Sequence, residues 1–293
     1  MSRDEGRPGP GANGRHFSPS RPQGGAWLLI LVAMLYALFL LGSPLAAIVN
    51  GAISSGIGVL LRQMVSAESL HALRLTILLG IAATILNTIF GLALALVLAR
   101  DPFRGRRLID GLIDLPFAVS PVIAGLMLLL LFGRGGWFTG IVDAFDLRIV
   151  FALPGMLLAT VFITFPLVAR ELLPVLRHHG TDQEMVARTL GAGSWRTFRE
   201  ITLPNIRAGL LYGMLLTFAR SVGEFGAVLV IGGGVMRLTE TSTLFIYRAL
   251  DDRNEAGAYG MALTLAGLSL GMILVMGLIR RPFRGEETTR KGG

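Results

Sequence analysis

The sequence predicts an all-α polytopic membrane protein with six transmembrane helices. Three observations carry this: 53% of the 293 residues are hydrophobic, only 16% are charged, and the apolar residues gather into six long runs. Soluble domains hold about 25% charged residues, and a bilayer-spanning helix needs about 20 predominantly apolar ones. The runs meet that length.

Residues 1–25 are rich in Gly, Pro, Ser and Arg without apolar periodicity, which predicts a disordered tail. The first run, Ala26–Val49, exceeds the apolar core of a cleaved signal peptide, although Ala46-Ala47 offers small residues; an uncleaved span is expected. Leu73–Ala99, Gly111–Phe132, Val150–Leu173, Ala208–Ile231 and Ala256–Ile279 supply five more, so that 26–280 form one transmembrane domain and 281–293 a short tail. In the third span Pro116 and Pro121 predict a kink that frees backbone carbonyls. Gly209-x-x-x-Gly213 and Gly267-x-x-x-Gly271 predict close helix packing.

Charge sets the orientation. Of the 27 basic residues, 19 fall on the side of the two termini, 7 on the other side, and Arg220 lies within the fifth span. The excess of basic residues marks the cytoplasmic side, so both tails and the segment 181–207 are expected there. The net charge of +8 is spread over interhelical loops, which argues for membrane topology and against a nucleic-acid partner. Cysteine is absent, and His16, His71, His178 and His179 stand apart from any nucleophile or metal partner, so no catalytic and no metal residues are expected. The single lysine, Lys291, is followed by Gly292; a nucleotide-binding P-loop requires Gly-Lys-Ser/Thr. Any ATP that drives this protein is bound by another chain.

Glu184–Pro204 is too elaborate for a connector. Thr181 and Glu184 have the spacing of a capping box, and Met185, Val186, Thr189 and Leu190 form an apolar stripe on the helix that follows. Gly191 or Gly193 ends that helix in a left-handed conformation. Ser194 then caps a second helix carrying Trp195, Phe198 and Ile201, which Leu203-Pro204 stops. The stripe either packs on the protein's own helix ends, with its arginines solvated or on lipid phosphates, or enters a partner's groove.

Charged residues within the spans offer further candidates. Arg220 and Glu224 are four apart on one helical face: an internal ion pair, or a pathway lining that attracts an anion and then releases it. Ser120, between Pro116 and Pro121, either stabilises the kink or hydrogen-bonds a passing oxyanion. Asp110 and Asp114 sit at a helix amino terminus near Arg106 and Arg107, where negative charge is favourable.

Gly191 followed by nine residues and Ile201-x-Leu203-Pro204 resembles the cytoplasmic-loop motif of permeases in ATP-binding-cassette importers, Glu-Ala-Ala-x-x-x-Gly-x9-Ile-x-Leu-Pro. Met185-Val186-Ala187 stand at the opening triplet, with Glu184 one position early. Leu115-Pro-Phe-Ala-Val-Ser-Pro-Val-Ile-Ala-Gly125, Phe165-Pro-Leu-Val-Ala-Arg-Glu-Leu-Leu-Pro174, Leu203-Pro-Asn-Ile-Arg207 and Arg220-Ser-Val-Gly-Glu-Phe-Gly-Ala227 resemble the sulfate/thiosulfate permease family, nearer its CysW-like member. The likeness runs from residue 27 to about 280 and implies a type I importer permease (MetI-like) fold in a bacterial cytoplasmic membrane. It implies that Glu184, Met185, Val186, Ala187, Leu190, Gly191, Ile201, Leu203 and Pro204 couple to a separate ATPase. It also implies a homologous second permease, two ATPase copies holding ATP-Mg, and an external sulfate-binding protein landing on loops such as 133–149 and 233–255. Molybdate or tungstate is the alternative cargo, and an ion-coupled secondary transporter or a membrane enzyme the alternative class.

Overall fold

The computed structural model describes residues 24–280, with side chains from 27 to 278. The expected tails fall outside these residues, except Gly24 and Gly25, which open the first helix. Contacts divide the chain between Ala47 and Ile48. The first unit holds most of α1 (Gly24–Ser54), an apolar helix with Pro44 inside it; an 18-residue stretch within Trp27–Ser54 has a mean hydropathy of 2.4.

The second unit continues through α2 (Ile57–Met64), α3 (Ala67–Arg100), α4 (Arg106–Ile113), α5 (Leu115–Ala118), α6 (Pro121–Phe132), α7 (Thr139–Ala144) and α8 (Leu153–His179). After these come α9 (Asp182–Thr189), α10 (Ser194–Thr197), a π-helical turn (Phe198–Thr202), α11 (Leu203–Val222), α12 (Gly226–Gly232), α13 (Ser242–Asp251) and α14 (Glu255–Arg280). Helix α8 is the hub, packing against α3, α5, α6, α11 and α12. Its buried residues fall at three- and four-residue spacings on either side of Pro166, with Met156, Ala159 and Ile163 before it and Ala169, Leu172 and Leu176 after it. The outward side of α3 is just as apolar, with Leu78, Ile81, Ile85 and Ile89 exposed. Helices surrounded by hydrocarbon need such faces; those in water do not.

Several hydroxyl side chains inside the bundle are satisfied locally. Thr84, Thr160, Thr217 and Ser221 each donate to the carbonyl four residues back. Asn87, fully buried on α3, reaches across to α8, donating to Thr164 Oγ1 at 2.7 Å and to the Val161 carbonyl at 3.2 Å. The two glycine pairs differ. Gly209 and Gly213 let α11 lie against α8 beside Val175 and Val168, whereas an added Cβ at Gly267 or Gly271 meets nothing within 4 Å.

Two expected spans are not single helices. The run 111–132 is divided at Asp114 and again at Val119–Ser120, so that α6 has only 12 residues and reaches about 18 Å. Pro116 and Pro121 break the helix outright because each lacks the N–H that would continue it. The run 208–231 bends by 58° between α11 and α12. Apolar composition predicted continuous spans, but four uninterrupted helices and one bent pair have span-like length and hydropathy among the described residues.

At Gly125, where α6 crosses α12, an added Cβ would lie 2.7 Å from the Ala227 carbonyl oxygen and 3.0 Å from Ala227 Cα. Backbone cannot swing aside as a side chain can. Gly125→Ala is therefore expected to lower stability by about 1–3 kcal/mol. Gly267→Ala should leave it unchanged, as thermal unfolding in detergent will test.

Candidate functional site

Helix α9 closes as a Schellman motif. Ala192 N–H bonds to the Ala187 carbonyl and Gly191 N–H to the Arg188 carbonyl, both at 3.0 Å, with Gly191 at φ +86°. Of the two glycines expected to end this helix, Gly191 is the left-handed one; Gly193 is extended at φ −67°. Thr181 makes no side-chain cap, and the Glu184 side chain, rather than reaching back to it, turns to Arg100 and Thr202. Gly193, not Ser194, caps α10, and Leu203-Pro204 does not stop it. The helix runs through the π turn into α11, with Pro204 in that helix's first turn, where a missing N–H is tolerated. Asn205 Nδ2 donates to Gln183 Oε1 at 2.8 Å and ties the start of α11 to α9.

The apolar stripe does not pack on the chain's own helices. Met185 is 54% exposed, Val186 58%, Trp195 72% and Leu190 83%. The Trp195 ring stacks on Phe198, with centroids 5.6 Å apart, so the indole is presented on a rigid base. Ala187, Ile201 and Leu203 are half-buried, Leu203 against the core formed by α3, α8 and α11, and Pro204 is exposed. Covering a leucine-sized side chain stabilises by about 1.5–3 kcal/mol, so this surface favours a partner.

Arg220 and Glu224 lie elsewhere, at the bend between α11 and α12. Arg220 NH1 donates to Glu224 Oε2 at 2.6 Å, and Ala227 N–H donates to Oε1 at 3.2 Å. The expected ion pair is present, but its carboxylate also caps α12, which spacing alone did not reveal. Glu224 is buried, while Arg220 keeps 39% of its side chain exposed. Gly226 lies close against Pro121 and Val122, where a Cβ would come within 3.0 Å of Val122, so the two broken helices adjoin where both begin. Ser120, exposed at the start of α6, makes no cap bond with its hydroxyl.

Arg170 was legible only as a cytoplasmic charge. Its Nε and NH2 grip the two oxygens of Asp114 at 2.7 Å and its NH1 reaches Asp110 at 2.6 Å, clamping α4 and α5 to α8. The aspartates expected near Arg106 and Arg107 serve this fork. At the opposite end, loops 133–149 and 233–255 border one cavity of about 1040 Å³, lined by Arg134, Thr139, Arg148, Phe151, Leu238 and Thr239 among others. Beside it, buried Glu240 holds Arg248 at 2.6 Å, and Arg248 also pairs with Asp252 and Glu68. The Glu240 hydrogen bond, opposed by burial, raises the Arg248 guanidinium above its ordinary range.

Residues 88–285 match the family described as "Binding-protein-dependent transport system inner membrane component". The chain belongs to this family. This inner membrane component is a multi-pass membrane protein, and α3 and α14 carry exposed apolar faces. It is 42% identical over 255 residues to the "Sulfate transport system permease protein CysW" of Synechocystis sp. (strain PCC 6803), covering 87% of this chain and 92% of that one. Identity with the CysW protein of Escherichia coli K12 is 40%, covering 90% of each, and with the CysT permease of that strain 32%, covering 88% and 94%. A crystal structure of a bacterial alginate ABC transporter, in complex with an alginate pentasaccharide-bound periplasmic protein, superposes with a TM-score of 0.74 at 15% identity, covering 87% and 93%. That likeness bears out the expected importer fold.

Proposed function

We propose that this chain is the translocation subunit of an ATP-driven importer of sulfate or thiosulfate. The observation that carries the reading is the rigid, outward apolar face of α9 and α10, built by a family member that carries no P-loop. Such a face needs a separate motor. The names of relatives at 40–42% identity support sulfate as cargo, and similarity to both CysW and CysT supports pairing with a homologous permease. One docking loop per permease gives two ATPase copies, each holding ATP-Mg. The distribution of basic residues supports cytoplasmic termini and a cytoplasmic loop. Loops 133–149 and 233–255 then face outward and receive the anion-binding protein. Closure of the motor draws the docking loops together and switches the bundle from inward- to outward-open. Ser120, Arg220 and Glu224, at two adjoining helix breaks, line the anion's route.

Reconstitution in liposomes tests this. Uptake of labelled sulfate is expected only when this chain, a homologous permease, the ATPase and the binding protein are all present with ATP. Uptake by this chain alone without ATP would overturn the proposal. Stronger competition by molybdate or tungstate than by thiosulfate would reassign the cargo.

A further inference from the structure

The docking helix α9 has no buried residue, so apolar packing does not hold it. Glu184 does. Its Oε1 accepts from Arg100 NH2 and from Thr202 Oγ1, both at 2.8 Å. Arg100 is the last residue of α3, and its NH1 also donates to the Leu176 carbonyl near the end of α8 at 3.1 Å. Both charged side chains are mostly buried, at 17% and 14% exposure. One guanidinium therefore joins α3, α8 and α9, and the shared carboxylate adds the π turn that leads into α11. Of these elements, α3 and α8, together with α11 beyond the π turn, are the helices whose mutual packing forms the bundle centre. Turning Glu184 inward also leaves Met185, an uncharged side chain, at the exposed position beside it.

We propose that Arg100 is a positioning residue which transmits displacement of the docking loop into the bundle. A largely buried, charge-assisted pair tolerates little separation, because parting it strands two poorly solvated charges. A push on α9 therefore moves the ends of α3, α8 and α11 with it. This rests on the docking role proposed above.

The chain has no cysteine, so thiols introduced as Arg188→Cys and Leu78→Cys carry the only two spin labels. Leu78 lies about 33 Å along α3 from Arg100, and the label pair reports the loop against the bundle. In the assembled importer, Arg100→Gln is expected to broaden the label distance distribution about twofold and to lower anions moved per ATP about tenfold, in line with losing charged hydrogen bonds. The ATPase should still co-purify. Arg100→Lys should recover part of both, and Glu184→Gln, which keeps the size and the Thr202 partner, should show a smaller change of the same kind. Should Arg100→Gln fail to insert, the Glu184→Gln result decides. Unchanged distances and stoichiometry would overturn the proposal, as would loss of ATPase co-purification, which would make the pair part of the docking face. If the wild-type chain recruits no ATPase, the functional reading fails, while label distances in the chain alone still test the tether.

Discussion

Leu190→Glu is expected to abolish ATP-driven uptake while the protein still inserts and folds. Leu190 is 83% exposed, so the fold does not depend on it. A partner that covers it gains about 1.5–3 kcal/mol, and an unpaired carboxylate in the same groove would cost several kcal/mol more. Together these should weaken ATPase association at least about a hundredfold, measurable by co-purification and by stimulated ATP hydrolysis in the reconstituted complex. Gly191→Val should reach the same end by another route. Its Cβ would meet nothing within 4 Å, but φ +86° is strained for a branched residue, by about 1–2 kcal/mol or more. The turn that closes on the Ala187 carbonyl would open, and the apolar face would lose its fixed direction. Intact coupling in both variants would remove the docking role.

Glu224→Ala should have the other large effect, on stability as well as transport. It removes the partner of Arg220 and the acceptor for Ala227 N–H in one step. Breaking a buried pair costs about 3–5 kcal/mol, and the partial exposure of Arg220 brings the expected loss to about 2–3 kcal/mol. Thermal unfolding in detergent reads this directly. Glu224→Gln keeps an oxygen for the cap and loses only the charge, so it should recover much of the stability. If it also recovers sulfate uptake, Glu224 serves the bend alone and not the anion's route.

How much of the molecule could be seen in the sequence depends on the range of the interaction. The stripe of Met185, Val186 and Leu190 and a left-handed close at Gly191 or Gly193 were legible because helix periodicity and left-handed glycine are local properties; that Gly191 makes the close and that the stripe is exposed were not. Glu184 was misread as a capping residue, since its partners Arg100 and Thr202 lie 84 and 18 positions away. Asp110 and Asp114 were likewise read as charges at a helix amino terminus near Arg106 and Arg107, when they lie in the second half and at the end of α4 and the residue that grips them is Arg170 on a different helix.

The sequence by itself determined an all-helical membrane protein that carries no P-loop and has an apolar stripe on the polar segment 184–204, because composition, run length and motif spacing depend only on residues near one another along the chain. Only the tertiary structure decided where apolar runs break, which charges meet and which way the docking face points. Hydropathy sums over a window and cannot register that a carboxylate caps a half-helix, or that one guanidinium joins three helices. Those choices rest on pairing charges and backbone groups that the apolar surroundings will not solvate, and the pairs form only once distant segments have been brought together.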